Sequence, residues 1–145
     1  MLWKNRQFTD SKQDNFRICK KIGKKVKTGV CFDFVAEALD QVDPKWRKRT
    51  KRFHKHDYIY GGRIKRKDLL PGDIIVFTWK SLTTNEHNSH ACIIYSADKK
   101  GSIKVAEQNA DGKAQSKTKV EIHNFDPTGE DIGIKIYKLR YYRPY

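Results

Sequence analysis

The sequence predicts an α+β fold, with helices in the front of the chain packed on an antiparallel sheet built from the back. Two observations carry this. Up to about residue 42 apolar residues recur at spacings of three and four, whereas from Leu69 onward they gather in short runs bounded by Gly, Pro and Asp turns. The turns joining the later runs are short, which selects antiparallel pairing and segregates strands from helices along the chain.

The elements follow in order. After Thr9 and Asp10, a plausible N-cap, Phe16, Cys19, Ile22 and Val26 share one helical face, and Gly29 breaks the pattern. A second helix begins near that glycine in TGVCFDFVAEALDQV, where Cys31, Val35, Ala38 and Val42 form one face flanked by Phe34 and Leu39. Asp43 and Pro44 end it or start a third helix carrying the basic run KWRKRTKRFHKH. LLPGD is a Pro-Gly turn that launches a strand, IIVFTW, from Ile74. The loop KSLTTNEHNS leads to His90 and ACIIY; after the ADKKG turn come SIKVAEQN and later strands at KVEIHNF and IGIKIYKLRYY.

At 145 residues the chain fits one domain, 1–145, and a chain of this size buries roughly 70% of its unfolded surface without staples. Its three cysteines cannot close a full disulfide framework, and Cys19, Cys31 and Cys92 show no CxxC spacing. No apolar stretch reaches the length of a membrane span or a secretory signal, so the expectation is a protein without a membrane span. It would be cytoplasmic, or released by lysis, by specialised export or as a viral product. Charge is the dominant bulk property: 31 Lys and Arg against 17 Asp and Glu give a net +14. The excess sits in KKIGKKVK and in the run that includes Arg47, Lys48, Arg49, Lys51 and Arg52. Such a patch suits an anionic polymer of any kind, or serves as a solvated face.

Two polar rims mark the central hairpin. If Ala97 and Ser102 are the last paired residues around its turn, paired positions sum to 199 and His90 stands opposite Asn109. His90, Cys92, Glu107 and Asn109 then share one face and Gln108 points to the other. Directly opposed and diagonal neighbours both lie within reach of an imidazole, so Glu107 and Asn109 are alternative partners for it. Cys31 adds a nucleophile, because the first turn of a helix carries unpaired N–H groups and a positive dipole end that favour a thiolate. Its alternative role is that of a small core residue. Cys19 and Cys92, within apolar patterns and away from helix termini, read as core.

The order TGVCFDFVAEAL, LLPGDIIVF, SHACIIY, KVAEQN resembles the papain-like superfamily of CHAP domains (cysteine- and histidine-dependent amidohydrolases and peptidases) and the related NlpC-type cell-wall peptidases. The resemblance covers residues 28–109. It implies a papain-like arrangement, with Cys31 as nucleophile, His90 as base and acid, Glu107 or Asn109 as orienting residue, and Gly72 and Asp73 as structural turn residues. It further implies a cysteine-dependent amidase or endopeptidase acting through a thioester, on a cell-wall peptide of the peptidoglycan type, as a monomer and without cofactor. Two positions depart from the pattern: Ser89 stands where glycine often precedes the histidine, and Ala91 where valine is commoner.

Other constellations compete. His87 lies beside the histidine rim as a candidate substrate contact, and Trp79 either lines the cleft or packs in the core. The pairs His87/His90 and His54/His56 lack the spacing of a metal quartet, so no metal is expected. A basic nucleic-acid-binding module is the principal alternative, with Trp46 and Phe53 stacking on bases between phosphate-binding Lys and Arg. An inactive papain-like fold used only for binding is the other.

Overall fold

A computed structural model describes residues 20–28, 30–49, 51–54, 57–109 and 119–144. It is a mixed fold dominated by a six-stranded antiparallel sheet, with few helices. The long helix, α1, spans Cys31–Val42. Val30 caps it in an extended conformation, and Asp33 in its first turn reaches back to accept from the Thr28 N–H at 3.0 Å and from the Thr28 hydroxyl. A carboxylate there also suits the positive end of the helix dipole. The helix stops at Asp43, whose N–H donates to the Leu39 carbonyl at 2.8 Å, immediately before Pro44.

One sequence expectation fails in this front region and another holds only in part. The first helix does not run to Val26. Its described part ends at Lys21, Ile22 forms an isolated parallel bridge with Val120, and Gly23 turns the chain at φ 74. Gly23 donates to the Val120 carbonyl and Val120 to that of Lys24, so the backbone is satisfied by the sheet edge and Val26 reaches the core from a loop. The positions Thr9, Asp10, Phe16, Cys19 and Gly29 lie outside the described residues. The third helix, α2, is a single turn, Trp46–Arg49, after which the basic run becomes a hairpin of β1 (Lys51–His54) and β2 (Asp57–Ile59). Continued as a helix, it would set Arg47 above Lys51 and Lys48 above Arg52, like charges at the spacing where they repel.

The main sheet comprises β3 (Gly61–Arg63), β4 (Ile74–Ser81), β5 (His87–Ala97), β6 (Ile103–Glu107), β7 (Glu121–Asn124) and β8 (Ile134–Pro144). Their order is β3-β8-β4-β5-β6-β7, with every neighbouring pair antiparallel. Strand alternation sorts the core into two clusters. On one face Ile74, Val76, Ala91, Ile93 and Ala106 pack with Phe34, Val35 and Leu39 of α1. On the other, Ile75, Phe77, Cys92, Ile94 and Val105 pack with Leu69 and Tyr141.

The turn before β4 joins several strands. Gly72 adopts φ 93, its N–H donates to the Ile94 carbonyl at 2.9 Å, and Ile94 donates back to the Asp73 carbonyl at 2.8 Å. The Asp73 carboxylate, fully buried, accepts from the Leu70 N–H at 2.7 Å and from Arg143 Nε and Nη2 at 3.1 and 2.9 Å. A two-pronged guanidinium contact of this kind satisfies a buried carboxylate that would otherwise be costly. Gly61 is required for a different reason: a Cβ there would collide with the β8 backbone at Arg143. Among the described residues, no helix is long and apolar enough to cross a membrane.

Candidate active site

Cys31 is the first residue of α1, so its own N–H and that of Phe32 have no acceptor within the helix. The helix lies on the sheet face that carries Ala91 and Ile93, whereas His90 has the opposite parity on β5. The two residues nevertheless meet, because β5 and β6 separate there: their ladder ends at Ile93↔Ala106. Ile94 donates toward the β4 side, so Ala91 and Ile93 direct their N–H groups toward β6. At Ala91 no β6 residue pairs with it, and its N–H bonds to the Cys31 sulfur instead.

The electrostatics follow from this placement. Burial by itself would push the Cys31 thiol above its ordinary 9.0; the His90 charge, a hydrogen bond from its ring, and the N–H groups of Ala91 and Phe32 outweigh it and leave the thiol lowered. Burial likewise opposes a charge on His90, but the Cys31 thiolate, then Glu107, raise the imidazole from 6.5 to about 10. Both shifts favour the charged pair, a thiolate beside an imidazolium. Glu107 Oε2 lies 2.9 Å from His90 Nε2, which leaves Nδ1 for the sulfur. The Phe77 ring packs against the imidazole at a centroid distance of 5.3 Å and shields it from water.

Extrapolating the hairpin register holds at Ile93 and Ile94 but fails at the turn and at His90. Ile93↔Ala106 and Ile94↔Val105 keep the sum of 199, but a bulge between Ile94 and Ser96 shifts the turn end to Ala97↔Ile103. The ladder stops short of His90, so Asn109 does not pair with it. Asn109 instead adopts a left-handed φ of 61, and its Oδ1 is buried without a hydrogen-bond partner. Of the two alternatives, the carboxylate of Glu107 is the group in contact with the ring.

Gln108 has a role that the sequence reading missed. Fully buried, it accepts from the Val26 N–H at 2.6 Å and donates through Nε2 to the carbonyls of Val26 and Val30 at 3.0 and 2.9 Å. Val30 is the N-cap of α1, so this amide ties the residue before Cys31 to the end of β6. The one available signal was the predicted facing: Gln108 points away from Glu107, toward the helix, where an amide needs partners.

The remaining candidates are dispersed. His87 is not in a loop but opens β5, exposed, with Nδ1 3.5 Å from the Asn85 carbonyl. Trp79 is half-buried against the second core cluster, paired in register with Asn88 and Ile136. Cys92 is fully buried, and burial, then the charges of Glu107 and Cys31, push its thiol well above 9.0. Arg47 and Lys48 are exposed, Arg47 lying over the Phe32 and Trp46 rings at 5.6 and 4.9 Å. The side chains of Arg49, Lys51, Arg52, Phe53 and His54, and all of His56, lie outside the described residues. Trp46 is not free to stack on bases: it is buried, stacks on Tyr60 and donates from Nε1 to Asp40 Oδ1 at 2.6 Å. Among the described residues no cluster of three or more His, Cys, Asp or Glu side chains could hold a metal ion.

No family model, no curated protein and no solved structure matches the chain.

Proposed function

We propose that the protein is a cysteine-dependent amidase or endopeptidase of the papain-like kind. The observation that carries this reading is the His90 imidazole held between the Cys31 sulfur at a helix start and the Glu107 carboxylate. A core cysteine would call for none of these partners; buried Cys92, whose thiol is raised, illustrates that condition in the same molecule.

The chemistry is acyl transfer. The Cys31 thiolate attacks an amide carbonyl carbon, and a C–S bond forms as the oxygen takes up negative charge. The Cys31 N–H, which has no acceptor within α1, is a donor for that oxyanion, an interaction of a type worth about 3–4 kcal/mol. The C–N bond then breaks while His90 gives its Nδ1 proton to the departing nitrogen. His90 next removes a proton from water, which attacks the thioester, releases the acid and restores the thiolate. Glu107 fixes the ring orientation and favours its charged form.

The substrate proposed is a peptide of the cell-wall type, with the exposed cations around Arg47 and Lys48 holding the enzyme near an anionic polymer. The order cysteine, histidine, glutamate along the chain and the resemblance of residues 28–109 to the CHAP and NlpC pattern support that choice. The test is digestion of purified peptidoglycan beside peptide and isopeptide substrates, with products identified by mass. New amine termini that disappear with Cys31→Ser support the reading; intact substrates throughout, with tight salt-sensitive binding to nucleic acid, favour the binding module.

A further inference from the structure

Glu107 has a second oxygen and a second histidine. Its Oε1 lies 3.9 Å from His123 Nε2, while the same nitrogen lies 3.1 Å from Glu121 Oε2. The β6/β7 register explains the arrangement: Glu107 stands directly opposite Glu121, and Val105 opposite His123, so His123 is the diagonal neighbour of Glu107 on the same sheet face. The His123 side chain is 40% exposed, yet its Nε2 is buried and makes no aligned hydrogen bond. The ring presents its outer edge to solvent and its nitrogen to two carboxylates.

Directly opposed like charges across an antiparallel pair are destabilising. Without a side chain between them, Glu107 and Glu121 would face each other directly, and their repulsion would loosen the hold of Glu107 on His90. We infer that His123 is a positioning residue: its ring lies between the two carboxylates and keeps Glu107 turned toward His90. Glu121, 61% exposed, keeps the outer side of the ring occupied. Among the described residues, the titratable groups facing this cluster are His90, Cys92 and, beyond His90, Cys31; the charges of Cys31 and Glu107 both act on His90. Loss of His123 therefore reaches the sulfur indirectly, through a less firmly held imidazolium.

This inference rests on the Cys31–His90–Glu107 reading, and one experiment separates the two. The probe is iodoacetamide, and the readout is the rate of Cys31 alkylation from pH 5 to 9 at low salt, with folding checked by circular dichroism. His123→Ala is expected to slow alkylation near pH 6.5 by about five- to tenfold, the size of coupling expected within one contact network. Adding Glu121→Gln is expected to restore most of the rate, because the repulsion on Glu107 is then gone. In a Glu107→Gln background, His123→Ala is expected to have no effect. A rate unchanged by His123→Ala overturns the inference, as does a loss that Glu121→Gln does not restore or that persists in the Glu107→Gln background. A wild-type thiol that is unreactive at neutral pH instead overturns the reading on which the inference depends.

Discussion

The side-chain amide of Gln108 at the end of β6 donates to the carbonyl of Val30 across 2.9 Å, fastening the N-cap of α1 to the sheet. The contact matters because Cys31 follows Val30 directly, and its sulfur must reach the gap where β5 and β6 part. The same amide exchanges hydrogen bonds with the Val26 backbone, so one buried side chain sets the path of the chain leading into the nucleophile.

Gln108→Leu is expected to destabilise the fold by at least about 2 kcal/mol, since backbone groups left unsatisfied in the interior cost about 1–3 kcal/mol each. Urea unfolding measures the loss. Cys31 should also alkylate more slowly in the folded variant, because the start of α1 is no longer fixed against β5.

Asp73→Ala is expected to cost about 3 kcal/mol, near the lower end for a broken buried pair because Arg143 keeps 20% side-chain exposure. It removes the acceptor of three hydrogen bonds at once, one from Leu70 and two from Arg143. The melting temperature should fall while the intrinsic reactivity of Cys31 in the folded protein is retained, because the lost hydrogen bonds go to Leu70 and Arg143 and not to the groups that act on the sulfur.

Amide cleavage should show a bell-shaped pH profile. As pH rises through the lowered Cys31 value, below 9.0, the thiol becomes a thiolate and the rate climbs. As pH rises through about 10, His90 loses the proton that the leaving nitrogen requires, and the rate falls. The stability of the pair has matching signs. The raised His90 contribution is complete below 6.5 and lost through about 10, and the lowered Cys31 contribution is present above 9.0 and lost as pH falls through its folded value. Steady-state rates on a cleaved substrate check the profile. His90→Ala should remove the basic limb together with about 10²–10⁴-fold of the rate.

Much of this arrangement was legible in the sequence. The Cys31 helix is recognisable from its 3.6-residue apolar pattern, and the antiparallel strands from their bounding turns. The partner of His90 is narrowed to Glu107 or Asn109 by counting back from a turn, and the count is right at Ile94 because the bulge beyond it offsets a turn pair placed one residue off. Asn109 escaped the count because the ladder ends at Ile93↔Ala106, and strand alternation says nothing of a residue beyond it. Asp43 and Pro44 leave the basic run open between a helix end and a third helix; the third helix lasts one turn, and composition does not reveal that a longer one would stack like charges. Gln108 and His123 act through contacts to distant segments, at Val26 and Val30 in one case and at Glu107 in the other. No local pattern encodes contacts of that range.

The central claim is tested most directly by the pH dependence of Cys31 carbamidomethylation in the full chain, with sites assigned by peptide mass. The account predicts modification of Cys31 at pH 7 faster than that of an ordinary thiol, a half-maximal rate below pH 9, protection of Cys92, and a shift of the Cys31 curve to higher pH in His90→Ala. A Cys31 that reacts no faster than an ordinary thiol, with a curve that His90→Ala leaves unmoved, would contradict it.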